Sequence, residues 1–374
     1  MAKKAYIGGT DNKAHKVKKI YGGIDDIARK IRKAYIGVGG VARPCFSTGL
    51  EYYGSSADGA IEALSSAISV DASAIAGNYA IFYGGDTSSN TYTSATNIYD
   101  ELLSKVSTNI KSHISKYGVT GVSFKEYALF GGGRGYTDYV KVINKDLTNV
   151  GKDLRLNSPV ANAGGCATNN YAMFAGGIRD TATYSEVATA FDENLSTSYP
   201  PNLSNTRTRL AGASIDDYAL FAGGVVWDYV NGRARSSNLV EIYQQLTKFS
   251  NTTLTNVTQE IVGITFSSRA VFSYSNIIDC FDMNLTKTSY MRDFGSSYKN
   301  VIVAIGKYLI CAGGTQNVAE IFDEEFTKID ELKFEPSRDE AKAEVLGKFA
   351  IVAGGIVDHT NTYTVTDVVN VYTY

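Results

Sequence analysis

The chain has 374 residues and a formal net charge of −2, with 44% hydrophobic and 20% charged residues. That balance suits a packed core and excludes an intrinsically disordered chain. No run approaches the roughly 20 apolar residues of a membrane-spanning helix, and the start "MAKKAYIGG" lacks the apolar stretch of a secretory signal peptide, so synthesis in the cytoplasm is expected.

The charge is unevenly spread. Residues 1–49 carry 11 Lys and Arg against 3 Asp, which makes this segment +8 and the remainder −10. Such a break marks a candidate boundary between an arm, 1–49, and a body, 50–374. The arm repeats "KKAYIGGTDNKAHKV", "KKIYGGIDDIARKI" and "RKAYIGVGGVARPCF". Each copy reads as a short strand, a Gly-rich turn and a second short strand. Thin hairpins bury little alone, so self-association through 1–49, or packing on a partner or on the body, is expected.

The body opens with "EYYGSSADGAIEAL" (51–64), followed by a phrase that recurs seven times: YAIFYGG at 79, YALFGGG at 127, YAMFAGG at 171, YALFAGG at 218, RAVFSYS at 269, YLICAGG at 308 and FAIVAGG at 349. The starts recur at intervals of roughly 40–50 residues, the period of a repeat architecture. Each copy is an apolar strand stopped by two glycines, which turn sharply and let a neighbouring backbone approach. After a polar loop comes a second apolar stretch ending in an aromatic and usually Asp, as in NIYD at 97, TAFD at 189, DCFD at 279 and AEIFD at 319. Asp suits the following turn because its carboxylate accepts from amides two residues on. A Leu or Phe stands at one constant interval ahead of the next phrase, Leu203 before Tyr218, Leu254 before Arg269 and Phe334 before Phe349, which supplies a fourth strand. The seventh unit ends at Tyr374 with no fourth strand, whereas Leu64 stands at that same interval before Tyr79 with no unit ahead of it. The 51–64 segment is therefore expected to complete the last unit and remove two open edges.

On these residues the body resembles the kelch-type β-propellers, whose blades carry an apolar strand ending in Gly-Gly and a later aromatic. The fold implied is all-β: a seven-bladed kelch-like propeller of four-stranded blades, closed by the 51–64 strand, behind the short β-repeat arm. The tryptophan usual late in each kelch blade is missing, since Trp227 is the single Trp, and the fifth phrase lacks its glycines. The arm resembles N-terminal repeats of phage and prophage tail appendages.

Catalytic signatures are sparse. Copper-binding propeller oxidases use histidines and a tyrosine, but His15, His113 and His359 lie in separate segments. "GGGRGYT" (131–137) has no following helix to form a phosphate loop, and the recurring carboxylate pairs sit at turns. Cys280 and Cys311 fall within strands as small buried hydrophobes. No metal or cofactor is implied. Nucleic acid is disfavoured as a partner because the body is acidic.

The loops after the double glycines are rich in Tyr, Ser, Thr and Asn, with an occasional Trp or Arg, the composition of paratopes. The residues singled out for ligand binding are Tyr92, Arg134, Tyr136, Tyr139, Arg179, Tyr184, Trp227, Tyr229, Arg233 and Tyr363. The function expected is non-catalytic recognition of a cell-surface glycan or protein receptor, as the receptor-binding part of a virion-associated tail appendage. An intracellular protein-interaction scaffold is the alternative, and a propeller enzyme the least favoured reading.

Overall fold

The computed structural model describes residues 49–374 except 88–90, 114–116, 182, 229–230, 297–298 and 359–363, and leaves aside the side chains of 294–296. Within 1–48 it describes the backbone of six short strands. These form three antiparallel hairpins, Tyr6–Gly8 with Ala14–Lys16, Ile20–Ile24 with Ile27–Ile31, and Lys33–Val38 with Val41–Ser47. The repeat fixes the register, because Gly8 faces Ala14, Gly23 faces Ala28 and Gly37 faces Ala42.

The rest of the chain is a seven-bladed β-propeller. The innermost strands are Ser69–Ala76, Val119–Phe124, Gly164–Ala167, Ala211–Ile215, Val262–Phe266, Val301–Ile305 and Lys342–Leu346. Each neighbours the next in that order, and the seventh neighbours the first. Each recurring phrase forms the second strand of its blade, antiparallel to the innermost one.

The phrase is apolar at consecutive positions because both faces of its strand are covered. Ala80 and Phe82 join a core shared with the seventh blade, whereas Ile81 and Tyr83 join one shared with the second. A period-2 strand between two neighbours reads as an unbroken apolar run. Seven separate cores result, one between each pair of adjacent blades. The aromatic that ends the third strand meets the phrase's own aromatic edge-on, with centroids 6.0 Å apart for Phe82 and Tyr99, 6.1 Å for Phe174 and Phe191, and 5.9 Å for Phe221 and Tyr243. Such pairs add about 0.5–1.5 kcal/mol beyond area burial.

The turn after the third strand recurs in detail. Asp100, Asn144, Asp192, Asp282 and Asp323 each accept through Oδ1 from the amides two and four residues on, at 2.8–3.2 Å. The Leu or Phe three residues after each has positive φ: Leu103 63°, Leu147 54°, Leu195 58°, Leu285 60° and Phe326 58°. A left-handed non-glycine costs about 1–2 kcal/mol, and burying a Leu or Phe regains about 1.5–3 kcal/mol. Leu103, Leu195 and Phe326 are buried. Here the core, not glycine, sustains the left-handed turn.

The Gly-Gly ends are clamped from beneath by buried arginines in two blades. Arg207 donates to the carbonyls of Gly223 (3.1 Å) and Leu239 (2.8 Å) and to Glu241 Oε2 (2.6 Å). Arg338 donates to the Gly354 carbonyl (2.6 Å) and to Asn370 Oδ1 (2.7 Å). Both place guanidinium donors on buried carbonyl and side-chain acceptors.

The fifth blade shows the consequence of losing the glycines. Arg269–Phe281 is continuous strand, yet the rings of Phe272 and Phe281 lie 6.1 Å apart. Nine residues of extended chain would span about 30 Å, so the segment doubles back at Ser275, where φ is 48°. No loop rises there. The first blade departs in another way, with three strands and a bridge from Tyr99 to Lys105 in place of the fourth.

Closure follows the expectation from 51–64, although the pairing strand is shorter. Glu51–Ser55 lies against Val369–Thr373, with Ser55 opposite Asn370 and Glu51 opposite Thr373. The chain then turns, and the Leu64 amide donates to the Asp367 carbonyl at 3.0 Å. Among the described residues no helix is long and apolar enough to cross a membrane.

Two stability outcomes test this architecture. A Cβ on Gly85 would lie 2.2 Å from the Ser69 carbonyl oxygen at a φ of 143°, so Gly85→Ala should destabilise by about 2–3 kcal/mol or more in chemical denaturation. Deleting residues 1–47 should leave the melting temperature of the propeller nearly unchanged. Extending the deletion to residue 56 removes the closing strand and should lower it by about 10 °C or more, on the order of several kcal/mol.

Candidate functional site

In an antiparallel blade the start of the innermost strand lies beside the end of the second. Val119 faces Gly132, Ala211 faces Ala222 and Lys342 faces Ala353. The loops leaving the double glycines and the loops entering the innermost strands therefore share one face. Two positions before six of the innermost strands stand Tyr117, Asn162, Arg209, Glu260, Lys299 and Glu340. Backbone bonds link them from blade to blade: the Asn162 amide donates to Gly118 (2.8 Å), Arg209 to Asn162 (3.0 Å) and Glu340 to Lys299 (3.0 Å).

Two concavities open on this face. The first, about 430 Å³, follows the propeller axis and is lined by innermost strands of all seven blades. Its charged groups include Asp71, Asp86, Arg209, Lys299, Glu340, Lys342 and Glu344. Burial pushes Asp71 up to about 7, although its carboxylate accepts from the Gly118 (2.7 Å) and Val119 (2.9 Å) amides. Burial likewise raises Glu344 to about 7 and, with help from the charge of Glu340, Asp86 to about 6. The same desolvation lowers Lys342.

The second concavity, about 310 Å³, lies over the second to fourth blades and joins the first through Tyr117, Asn162 and Arg209. Its walls also include Arg134, Tyr136, Thr181, Tyr184, Thr208 and Gln259. The Arg134 guanidinium lies over the Tyr117 ring, 4.7 Å from the centroid. Tyr92 packs against the same ring at 5.9 Å, and Trp227 meets Tyr184 edge-on at 6.3 Å.

Of the residues singled out in the sequence, Arg134, Tyr136 and Tyr184 line this pocket, and Tyr92 and Trp227 support its walls. Tyr139 packs instead against His113 (5.3 Å) and beneath Arg155 (5.8 Å). The Arg179 amide donates to the Thr183 carbonyl (2.8 Å), and its side chain does not line either cavity. Arg233 is exposed and faces Asp228 across a hairpin. Tyr229, Tyr363 and His359 lie outside the described residues. Sequence reasoning missed Tyr117, Asn162 and Arg209 because it weighed only the loops after the double glycines. A signal existed: these three stand shortly before a phrase at a nearly constant interval, as Glu260, Lys299 and Glu340 do.

Among the described residues no cluster of His, Cys, Asp and Glu could hold a metal ion. His113 is wedged between the first two blades. Its Nε2–H donates to the Gly132 carbonyl at 2.9 Å, which leaves Nδ1 to accept from the Tyr83 hydroxyl at 3.0 Å. Burial lowers its pKa and keeps it neutral. Cys166, Cys280 and Cys311 are buried free thiols, each raised by desolvation.

The axial carboxyls carry a pH prediction. Glu344 is raised above its unfolded value, so its contribution to stability is present below about pH 4.5 and is lost as pH rises through about 7. Glu344→Gln should therefore be more stable than wild type at about pH 8, by on the order of 1 kcal/mol, and indistinguishable at pH 4.5. Thermal melts across that range check it, with Asp71 and Asp86 keeping part of the fall in both proteins. No protein-family model matches this chain, and no curated protein matches it.

Proposed function

We propose that the protein is a kelch-type propeller that acts as a non-catalytic recognition module, binding a cell-surface glycan or protein receptor through the face that carries the double-glycine loops. The observation that carries the reading is the joined concavity there, walled by Tyr117, Tyr136 and Tyr184 and furnished with guanidinium, amide and hydroxyl groups. Aromatic faces stack on sugar rings or peptide side chains at low entropic cost, and the amides and hydroxyls adapt their bonds to either. The recurring Gly-Gly strand with its late aromatic supports the kelch assignment.

Residues 1–49 serve as the attachment and self-association arm of a phage or prophage tail appendage. What supports this is the common Gly–Ala register of the three hairpins and their separation from one another as two-stranded sheets. A two-stranded sheet is marginal until another surface covers it.

Labelled full-length protein should bind saturably to a subset of a glycan array or a panel of bacterial cells. The combined variant Tyr136→Ala, Tyr184→Ala, Trp227→Ala should lose at least tenfold in affinity with its melting curve unchanged. No binding across both panels, together with a stoichiometric partner recovered from lysate, would replace this reading with the intracellular scaffold.

A further inference from the structure

We propose that the side pocket selects an acidic sugar, one that carries a carboxylate, and holds it with Arg134 and Arg209; this rests on the glycan branch of the recognition reading. Charge points to it first. The whole chain is −2, and the propeller part is more acidic still. Among the described residues the lining of the 310 Å³ pocket nevertheless contains two arginines and no Asp or Glu.

Neither arginine is used up by the fold. Among the described residues Arg134 has no carboxylate within ion-pair distance, and Asp86, which senses its charge, lies farther off. Its guanidinium is positioned by the Tyr117 ring beneath it. A stacked guanidinium keeps its N–H edge free and has already lost much of its rotamer entropy. Among the described residues Arg209 is tied to Glu260 by one bond, Nη1 to Oε1 at 2.9 Å, and its other two nitrogens bond to none of them. Its backbone is fixed by the bond from its amide to Asn162 and by a φ of 58°.

The remaining lining suits the rest of such a sugar. Tyr184 and Tyr136 offer aromatic rings, while Asn162, Thr208 and Gln259 offer groups for hydroxyls. A carboxylate takes two parallel N–H bonds from a guanidinium, and charge-assisted bonds are about twice as strong as neutral ones. A neutral sugar in the same place would leave the guanidinium edges dry and unpaired, which works against it.

The test uses the full chain and tetragalacturonate, beside its methyl ester, which keeps the shape and removes the charge, and a sulfated galactan oligosaccharide of equal length. Calorimetry should show the acid binding at least tenfold more tightly than the ester. Arg134→Gln should weaken the acid at least tenfold and leave the ester unchanged, with Arg134→Lys between the two and Arg209→Gln acting in the same direction. Unchanged thermal melts exclude misfolding, and Arg134→Lys serves as the readout if Arg134→Gln does not fold. Equal affinity for acid and ester would overturn the carboxylate selectivity while glycan recognition stands. Tighter binding of the sulfated oligosaccharide would assign the site to sulfate esters instead. Binding of none of the three, by wild type that binds no array glycan either, would overturn both readings.

Discussion

Both faces of every blade are buried, and this governs the rest of the molecule. Each sheet presents apolar side chains to two neighbours, so no blade completes a core by itself and seven cores form only between blades. An open row would leave two bare faces, and a ring leaves none. That is why the last core, which joins Phe82 and Tyr99 to Ile351 and Val371, brings together residues from the first and the final unit. It is also why the strand Glu51–Ser55 is set aside for the final blade.

Ring closure sets the cost of every local irregularity. Leucines and a phenylalanine accept left-handed backbone after the third strand because the inter-blade cores hold their side chains. Arg207 and Arg338 accept deep burial because carbonyls at the Gly-Gly ends, together with Glu241 and Asn370, take bonds from the Nη atoms of Arg207 and from Nε and Nη2 of Arg338. An arginine buried without such partners would cost several kcal/mol. The loop face carries strain and charge of its own, since Tyr136, Asn162, Arg209 and Glu340 all have positive φ there.

The same topology makes the loop face. Loops that leave the second strand and loops that enter the first converge at one end of the ring, so each blade contributes twice. The fifth blade gives up one contribution: it has Tyr-Ser where the others have Gly-Gly, and it turns back at Ser275 without a loop. The rim is therefore uneven. The side pocket lies over the second to fourth blades.

The sequence by itself determined the repeat, the strands and the closure. An apolar phrase ending in Gly-Gly, a later aromatic and an Asx turn are local patterns, and local sterics and hydrogen bonding translate them directly into strands and turns. The surplus Leu64 and the missing last strand pointed to the ring because their spacing could be counted. The site was legible only in part. Arg134, Tyr136 and Tyr184 stood out in variable loops, but Tyr139 belongs to the packing around His113. Tyr117, Asn162 and Arg209 lie in three different units, each a whole repeat away from the next. Only the tertiary structure, by folding successive units about one axis, brings those three around a common cavity. Nothing in any single unit records which residue of the next will stand beside it.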